Sequence, residues 1–415
     1  MRSYRKAFRF NFRRVFVIAG LATLLIVYAV LWLRMITSPA ERTGSDFIGF
    51  FTAGRIAQTA GAAHIYEPDR QQVIEQELVG FELVPGQVLL FNHLPYFVPI
   101  LQLIIDENYV LSFIRWDLIL LVVLILDARL LAYLLSRSGF VRREAWLAAA
   151  GFVLFFPVFT SLMNGQDTIF LLLGGVLWML CLYLEKDILA GVGLSLVTIR
   201  PQLALMLALP FLFRRRQVWW GFVAGTLALG AMCVLILGVD GSRNLIRFLL
   251  ISAGGEWYGL HPAEMPTLSG LLRRVVPGID ANVVRQVSWV VYLLTAAFLC
   301  FLWKRSKQIG EKEIGLAVVL SIFASPYLHY HDLALLLLPL TGLVLVAVRE
   351  KYISRRSAAL LPLGISLLLL FSFVSPYLVY NFANLFMLFL VLALWFPDRI
   401  FLLVKHGLKH RSEVS

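Results

Sequence analysis

Charge is scarce in this 415-residue chain: Asp, Glu, Lys and Arg make up 15% of it. A soluble domain carries nearer a quarter. With 60% of residues hydrophobic, that scarcity excludes a large water-soluble domain and a disordered chain. Cysteine is also rare. Cys181, Cys233 and Cys300 lie inside apolar runs without metal-ligand spacing, which excludes a disulfide scaffold and leaves them as small packing residues. Missing too are a Gly-rich phosphate loop, a His-Glu-x-x-His motif, a Ser nucleophile elbow and an Asp-x-Asp pair. The last absence excludes the paired carboxylates with which soluble nucleotide-sugar enzymes hold a metal diphosphate. No linker, low-complexity tract or internal repeat divides the chain, so residues 1–415 read as one membrane-embedded domain.

Apolar sequence is what the chain has in quantity. Runs fall at about 15–37, 110–135, 145–163, 167–184, 188–199, 201–213, 217–238, 286–303, 314–328, 332–348, 357–375 and 379–397. An open chain satisfies its own backbone in lipid only as helix, and a crossing takes roughly 20 apolar residues. The expected fold is therefore an all-α polytopic integral membrane protein with about 12 transmembrane helices. The first run, at 23 residues with a poor cleavage site in Ser38-Pro39-Ala40, reads as a retained anchor. The runs at 188–199 and 201–213 are too short to cross, and they flank Arg200-Pro201. Proline disfavours helix continuing at that point, so two half-length helices are expected to meet there. Segment 88–105 is interrupted by Pro95 and Pro99 and is expected to be interfacial or re-entrant.

The net charge of +12 is explained by topology. With both termini inside, the inner segments sum to +17, the outer ones to −7 and the spans to +2, as the positive-inside rule leads one to expect. Nucleic acid is then an unnecessary partner. The outer loops are 38–109 and 239–285. The first is expected to be structured, with a helix at 46–60 capped by Ser45 or Asp46. A second helix is expected near 70–82, with Ile74, Leu78 and Phe81 on one face.

The polar residues that are hard to place in lipid all fall toward the outer side. They are Asp46; Asn92 and His93; Asn164, Gln166 and Asp167; Arg200; Glu256, Trp257 and His261; and His329, His331 and Asp332. Asp46 suits either a helix N-cap or a general base at the membrane surface. Arg200 has no acid near it in sequence. It suits a phosphate oxyanion or the carbonyls freed at a helix break. His329 and His331 suit neutralisation of a phosphate or an interfacial belt without chemistry. Asp167 and Asp332 can cap the helices that follow them. Arg115 with Asp117, and Asp127 with Arg129, read as snorkelling or structural pairs.

At these residues the chain resembles glycosyltransferase family 87, the polyprenol-phosphate-mannose-dependent α-1,2-mannosyltransferase-like proteins of GT-C fold. The matching stretches are Ser45-Asp46-Phe47, AGAAHIYEPD (60–69), FNHLPYFVP (91–99), NGQDTIFLLL (164–173), LAGVGLSLVTIRPQLALMLALPFLFRRR (189–216) and SPYLHYHDLALLLLPL (325–340). The family's usual Lys-Pro is Arg200-Pro201 here, and its aromatic-Pro-Pro stretch is Asn92-His93-Leu94-Pro95. The resemblance implies an inverting, metal-independent transferase with no cofactor, in the bacterial inner membrane. Its termini would be cytoplasmic and its active site on the periplasmic or extracellular face. The donor would be a polyprenyl phosphate carrying mannose or another hexose or pentose, and the acceptor a glycolipid or envelope glycan. Asp46 is expected as catalytic base, with Arg200, His329 and His331 at the donor phosphate. Asn92, His93, Asn164, Gln166, Asp332, Glu256 and Trp257 are expected to line the substrates. Two rivals remain open, a polyprenyl-linked polysaccharide ligase or polymerase and a 12-span transporter. The first usually carries one large outer loop late in the chain, and the second usually shows repeat-related halves.

Overall fold

The computed structural model describes residues 12–38, 41, 45–254, 262–372 and 375–400. All regular structure among them is helical. The anchor is α1 (Phe12–Thr37), and the first outer loop holds α2 (Phe47–Thr59), α3 (Pro68–Val79) and α4 (Val98–Ile104). The bundle continues through α5 (Tyr109–Arg137), α6 (Arg142–Val153), α7 (Phe156–Met163), α8 (Thr168–Tyr183), α9 (Asp187–Ser195) and α10 (Pro201–Ala208). It closes with α11 (Arg216–Gly254), α12 (Leu268–Val275), α13 (Ala281–Arg305), α14 (Glu311–Ala324), α15 (Leu337–Arg349), α16 (Arg355–Ser372) and α17 (Pro376–Trp395).

Among the described residues seven helices are long and apolar enough to cross a membrane, and the pair α6–α7, bent by 51°, makes an eighth candidate. The protein is thus an all-helical polytopic membrane protein, but the twelve apolar runs do not all become full-length spans. Those at 167–184, 188–199 and 201–213 form shorter helices. Most of their side chains are buried in protein, where neighbouring elements rather than lipid meet the helix ends. Burial ranks the spans. The segment Tyr330–Arg349 is 89% buried and central, whereas Val17–Thr37 at 11% and Arg216–Leu250 at 17% form the rim.

The expected break at Arg200-Pro201 is present. Helix α9 tightens into a 3-10 turn at Leu196–Ile199, Arg200 leaves helical geometry (φ −119°, ψ 84°), and α10 starts on Pro201. The α9–α11 crossing explains how these short helices pack. A side-chain carbon on Gly191 would lie 2.0 Å from the Val218 carbonyl, and one on Gly221 would lie 2.2 Å from that of Ile188. Only glycine allows backbones this close, the small-residue contact typical of membrane helices. Helix α11 runs past the expected end of its run and kinks at Gly238 (φ 67°).

Other expected pairs are replaced. Asp117 accepts a hydrogen bond from the Trp32 indole (2.8 Å), tying α1 to α5, while Arg115 reaches the Ile104 carbonyl and Asp106. Asp127 is buried without a hydrogen-bond partner among the described residues, and Arg129 is exposed. A helix repeats every 3.6 residues, so side chains two apart diverge by about 160°.

The first outer loop is tightly built. Segment 88–94 is extended and leads through the 3-10 turn Pro95–Phe97 into the short α4, so 88–105 is not a crossing. Helix α3 holds this segment with two side chains one turn apart. Gln71 donates to the Ile65 carbonyl and accepts from the Phe91 amide, both at 2.6 Å, and Glu75 accepts from the Leu89 amide at 3.0 Å. Ile74 and Leu78 pack against the core as expected. Phe81 lies beyond the helix end and is exposed.

Burial raises the Glu75 carboxyl to about pH 7 against the pull of the Leu89 amide. A carboxyl whose folded pKa is raised gives the fold its full stability below the unfolded value near 4.5, and loses it as pH climbs to 7. Melting temperature in detergent should therefore fall over that window by more in the wild type than in Glu75→Gln, which cannot ionise. The difference should approach about 3 kcal/mol. Parallel pH profiles would show that Glu75 does not titrate there.

Candidate functional site

Five segments distant in sequence deliver polar side chains to one place. Asp46 begins α2, and His93 ends the extended strip that α3 holds, where its carbonyl accepts from the Tyr66 hydroxyl at 2.6 Å. Asp167 lies in the turn between α7 and α8, Arg200 at the α9–α10 break, and His329, His331 and Asp332 around the 3-10 helix Tyr330–Leu336.

Gly165 seats the α7–α8 turn. It takes a left-handed backbone (φ 65°), and a side-chain carbon there would lie 2.8 Å from Cβ of Phe47. Glycine meets both demands at little cost. The Gly165 carbonyl accepts from the Trp116 indole at 2.7 Å. The turn therefore rests directly on the first residue after Asp46, whose ring packs edge-on against Phe113.

Arg200 is not unpaired, as its sequence neighbourhood suggests. Its Nε donates to Asp332 at 3.2 Å, and its Nη2 lies 3.2 Å from Asp167 Oδ1 in an ion pair without aligned hydrogen-bond geometry. Nη1 reaches the Ile199 carbonyl at 3.4 Å. Both acids are fully buried, at 0% and 1% side-chain exposure. The second Asp167 oxygen lies 2.7 Å from His93 Nδ1, and Asp332 also accepts from Thr168 at 3.0 Å and from the His329 amide at 3.2 Å. Asp167 makes no cap hydrogen bond. Both acids are chiefly counter-ions of one buried guanidinium, and capping is at most the second use of Asp332.

The network extends toward Asp46. Both His331 nitrogens stand between carboxylates, Nε2 3.8 Å from Asp332 and Nδ1 3.9 Å from Asp46. These distances exceed a hydrogen bond, and Nε2 has no hydrogen-bond partner among the described residues. The order runs acid, imidazole, acid, guanidinium, acid, imidazole, from Asp46 to His93. Asp46 differs from the other two acids in being open, with 36% of its side chain exposed. It occupies the N-cap position of α2 but makes no cap hydrogen bond. Ser45 meets the Tyr109 hydroxyl instead.

The remaining expected residues divide. His329 pairs with the Tyr327 hydroxyl at 2.6 Å, its ring 5.5 Å from that of His331, and Asn92 neighbours Tyr327. Gln166 is buried with its carbonyl oxygen unpartnered among the described residues, and Asn164 closes α7. Glu256, Trp257 and His261 lie outside the described residues. Thr168, Tyr327 and Gln202 are additions that sequence reasoning missed. Gln202 donates to the Tyr327 carbonyl at 2.9 Å, and its own carbonyl accepts from Tyr292 at 2.8 Å. Its place two residues past Arg200, beside a proline in an apolar run, was the available signal. No cluster of metal-ligating side chains occurs among the described residues.

Removing one partner of a buried ion network costs about 3–5 kcal/mol, because the others stay buried and uncompensated. Arg200→Gln should therefore melt well below wild type in detergent with no substrate present. Adding Asp332→Asn should recover part of the loss. A single variant as stable as wild type would show that Arg200 does not anchor the two acids.

No curated protein and no solved structure matches the chain. The profile of glycosyltransferase family 87 matches residues 94–326, a stretch that contains Asp167 and Arg200 and more than half of the sequence. With that match, the chain belongs to glycosyltransferase family 87.

Proposed function

We propose that this glycosyltransferase moves a sugar from a polyprenyl phosphate to a hydroxyl acceptor, with inversion, and that Asp46 is the base. The observation that carries the reading is the difference among three carboxylates. Asp167 and Asp332 are buried and committed to Arg200, whereas Asp46 is open, makes no cap bond and has His331 behind it. A sugar hydroxyl is a poor nucleophile until its proton is taken, and a positioned carboxylate does this during attack. The acceptor oxygen then bonds to the anomeric carbon while the bond from that carbon to the phosphate oxygen breaks. The proton passes to Asp46 and the bonding pair leaves with the polyprenyl phosphate.

The donor phosphate is assigned to His329 and His331. Arg200, first expected there, has its charge matched by two acids and is buried. Its task is to fix Asp332, and through Asp332 the imidazoles. The protein supplies positioning, a base and imidazole hydrogen-bond donors for the leaving phosphate, without a cofactor. The substrate reading rests on the open acid beside the imidazoles, on the family, and on placement among apolar helices that a lipid-borne donor can approach from the side. A GT-C architecture belongs to the same proposal. So does a bacterial inner-membrane location with both termini cytoplasmic and the site outside, supported by the charge asymmetry of the loops.

Because Asp46 makes no cap bond, Asp46→Asn should leave the melting temperature unchanged. The same variant should lower turnover of a polyprenyl phosphate sugar by about 10²–10⁴-fold. Turnover within about threefold of wild type would exclude Asp46 as base.

Orientation has its own test. After Cys181, Cys233 and Cys300 are replaced, an impermeant maleimide added to intact cells should label Asp69→Cys and not Arg142→Cys, both at exposed positions. Labelling at 142 would invert the topology.

A further inference from the structure

The helices that build the site end together at a cavity away from it. Asp167 leads into α8, which ends at Tyr183; Asp332 leads into α15, which ends at Arg349; Tyr109 begins α5, which Ser138 follows. Sixteen helical residues in α8 alone span roughly 24 Å, so Tyr183, Arg349 and Ser138 meet on the opposite side of the bundle. There they line an open pocket of about 660 Å³ with Glu311, Lys351, Tyr352 and Arg355. That volume is in the range of small-molecule sites.

The charged lining is mostly cationic, with Arg349, Lys351 and Arg355 against Glu311. Arg349 is matched by Glu311 at 2.9 Å and Glu350 at 3.5 Å. Lys351 and Arg355 are exposed and make no ion pair among the described residues. Arg355 is placed by packing, its Nη2 lying 3.5 Å from where a side-chain carbon on Gly139 would be. Two unmatched cations over a floor of Leu345, Val348 and Ile353 suit an anion attached to an apolar body. Guanidinium and ammonium together hold a phosphate well, and basic pockets between membrane helices take anionic lipid headgroups.

We propose that this pocket binds a phosphate-bearing anion, either the headgroup of an anionic membrane lipid or a free phosphate compound. Its position on the cytoplasmic side rests on the orientation given above, but binding itself does not.

The test uses the full chain in neutral detergent, with bound lipid counted by native mass spectrometry. Phosphatidylglycerol should bind in preference to phosphatidylcholine of the same acyl chains. The double variant Lys351→Asn, Arg355→Gln should weaken phosphatidylglycerol by about 30-fold, two charges' worth near a membrane surface, and leave phosphatidylcholine unchanged. Asn suits the left-handed backbone at Lys351 (φ 60°), and an unchanged melting temperature confirms the fold. Arg243→Gln, which removes an exposed cation elsewhere, should change nothing. Displacement of the lipid by millimolar inorganic phosphate would identify a free anion as the occupant, and resistance to phosphate would identify the lipid. Equal phosphatidylglycerol binding by the double variant and wild type would overturn the proposal.

Discussion

Two fully buried carboxylates share one region of this protein because Arg200 lies between them. Either acid alone in an apolar interior would carry a desolvation cost of several kcal/mol, and so would the guanidinium. Together they offset one another only if three elements keep register: the turn before α8, the α9–α10 break and the 3-10 helix at 330–336. The network is therefore as much a constraint on packing as a source of stability. Each partner comes from a place where helix is interrupted, and that is where backbone geometry can turn a short side chain inward. Pro201 ends α9 geometry and frees Arg200 to leave the helical path. Gly165 turns the chain so that Asp167 faces the same point.

This arrangement divides labour between buried and open charge. The inner acids cannot meet a substrate without giving up Arg200, so they hold. Asp46 is outside that commitment, on a helix from the outer loop whose packing is aromatic rather than ionic. His331 connects the two regimes, close enough to both Asp46 and Asp332 to feel their charge and hydrogen-bonded to neither. An imidazole so placed keeps a nitrogen for an incoming group. The outer loop contributes by rigidity. The hold of Gln71 and Glu75 on segment 89–91 fixes the strip that ends at His93, and His93 closes the network at Asp167.

Much of this was legible in sequence, and the parts that were not share a cause. Apolar run length predicts membrane helices, and the position of Pro201 predicts the two half-length helices, because both are local properties of the chain. The polar positions gathered at the site were also visible as residues out of place in lipid. Pairing was not. Arg200 meets Asp332 across 132 residues, and nothing in its neighbourhood of sequence announces an acid. Adjacent charges misled for the same reason: Asp117 beside Arg115 turns instead to Trp32, 85 residues away. Run length also overcounts spans, since a helix buried in protein need not reach across lipid. The absence of a cap bond at Asp46 lies beyond sequence as well, because the residue type suits a cap and only the side-chain direction decides.

The shortness of α8 bears on which donor the site can take. Its sixteen residues span roughly 24 Å, less than the roughly 30 Å thickness of the hydrocarbon layer. In the proposed orientation Tyr183 stands at the inner interface beside the basic pocket. The Asp167 end then falls about 6 Å short of the outer hydrocarbon boundary. In that orientation the Arg200 network would lie below the membrane surface, buried in protein, where fixed charges act strongly. A soluble nucleotide sugar would have to bring a diphosphate down into that layer. A polyprenyl phosphate already has its phosphate at the headgroup boundary and its chain in the lipid, and needs only a lateral approach to the histidines. Asp46, on the loop side of the same network, remains within reach of an acceptor coming from water.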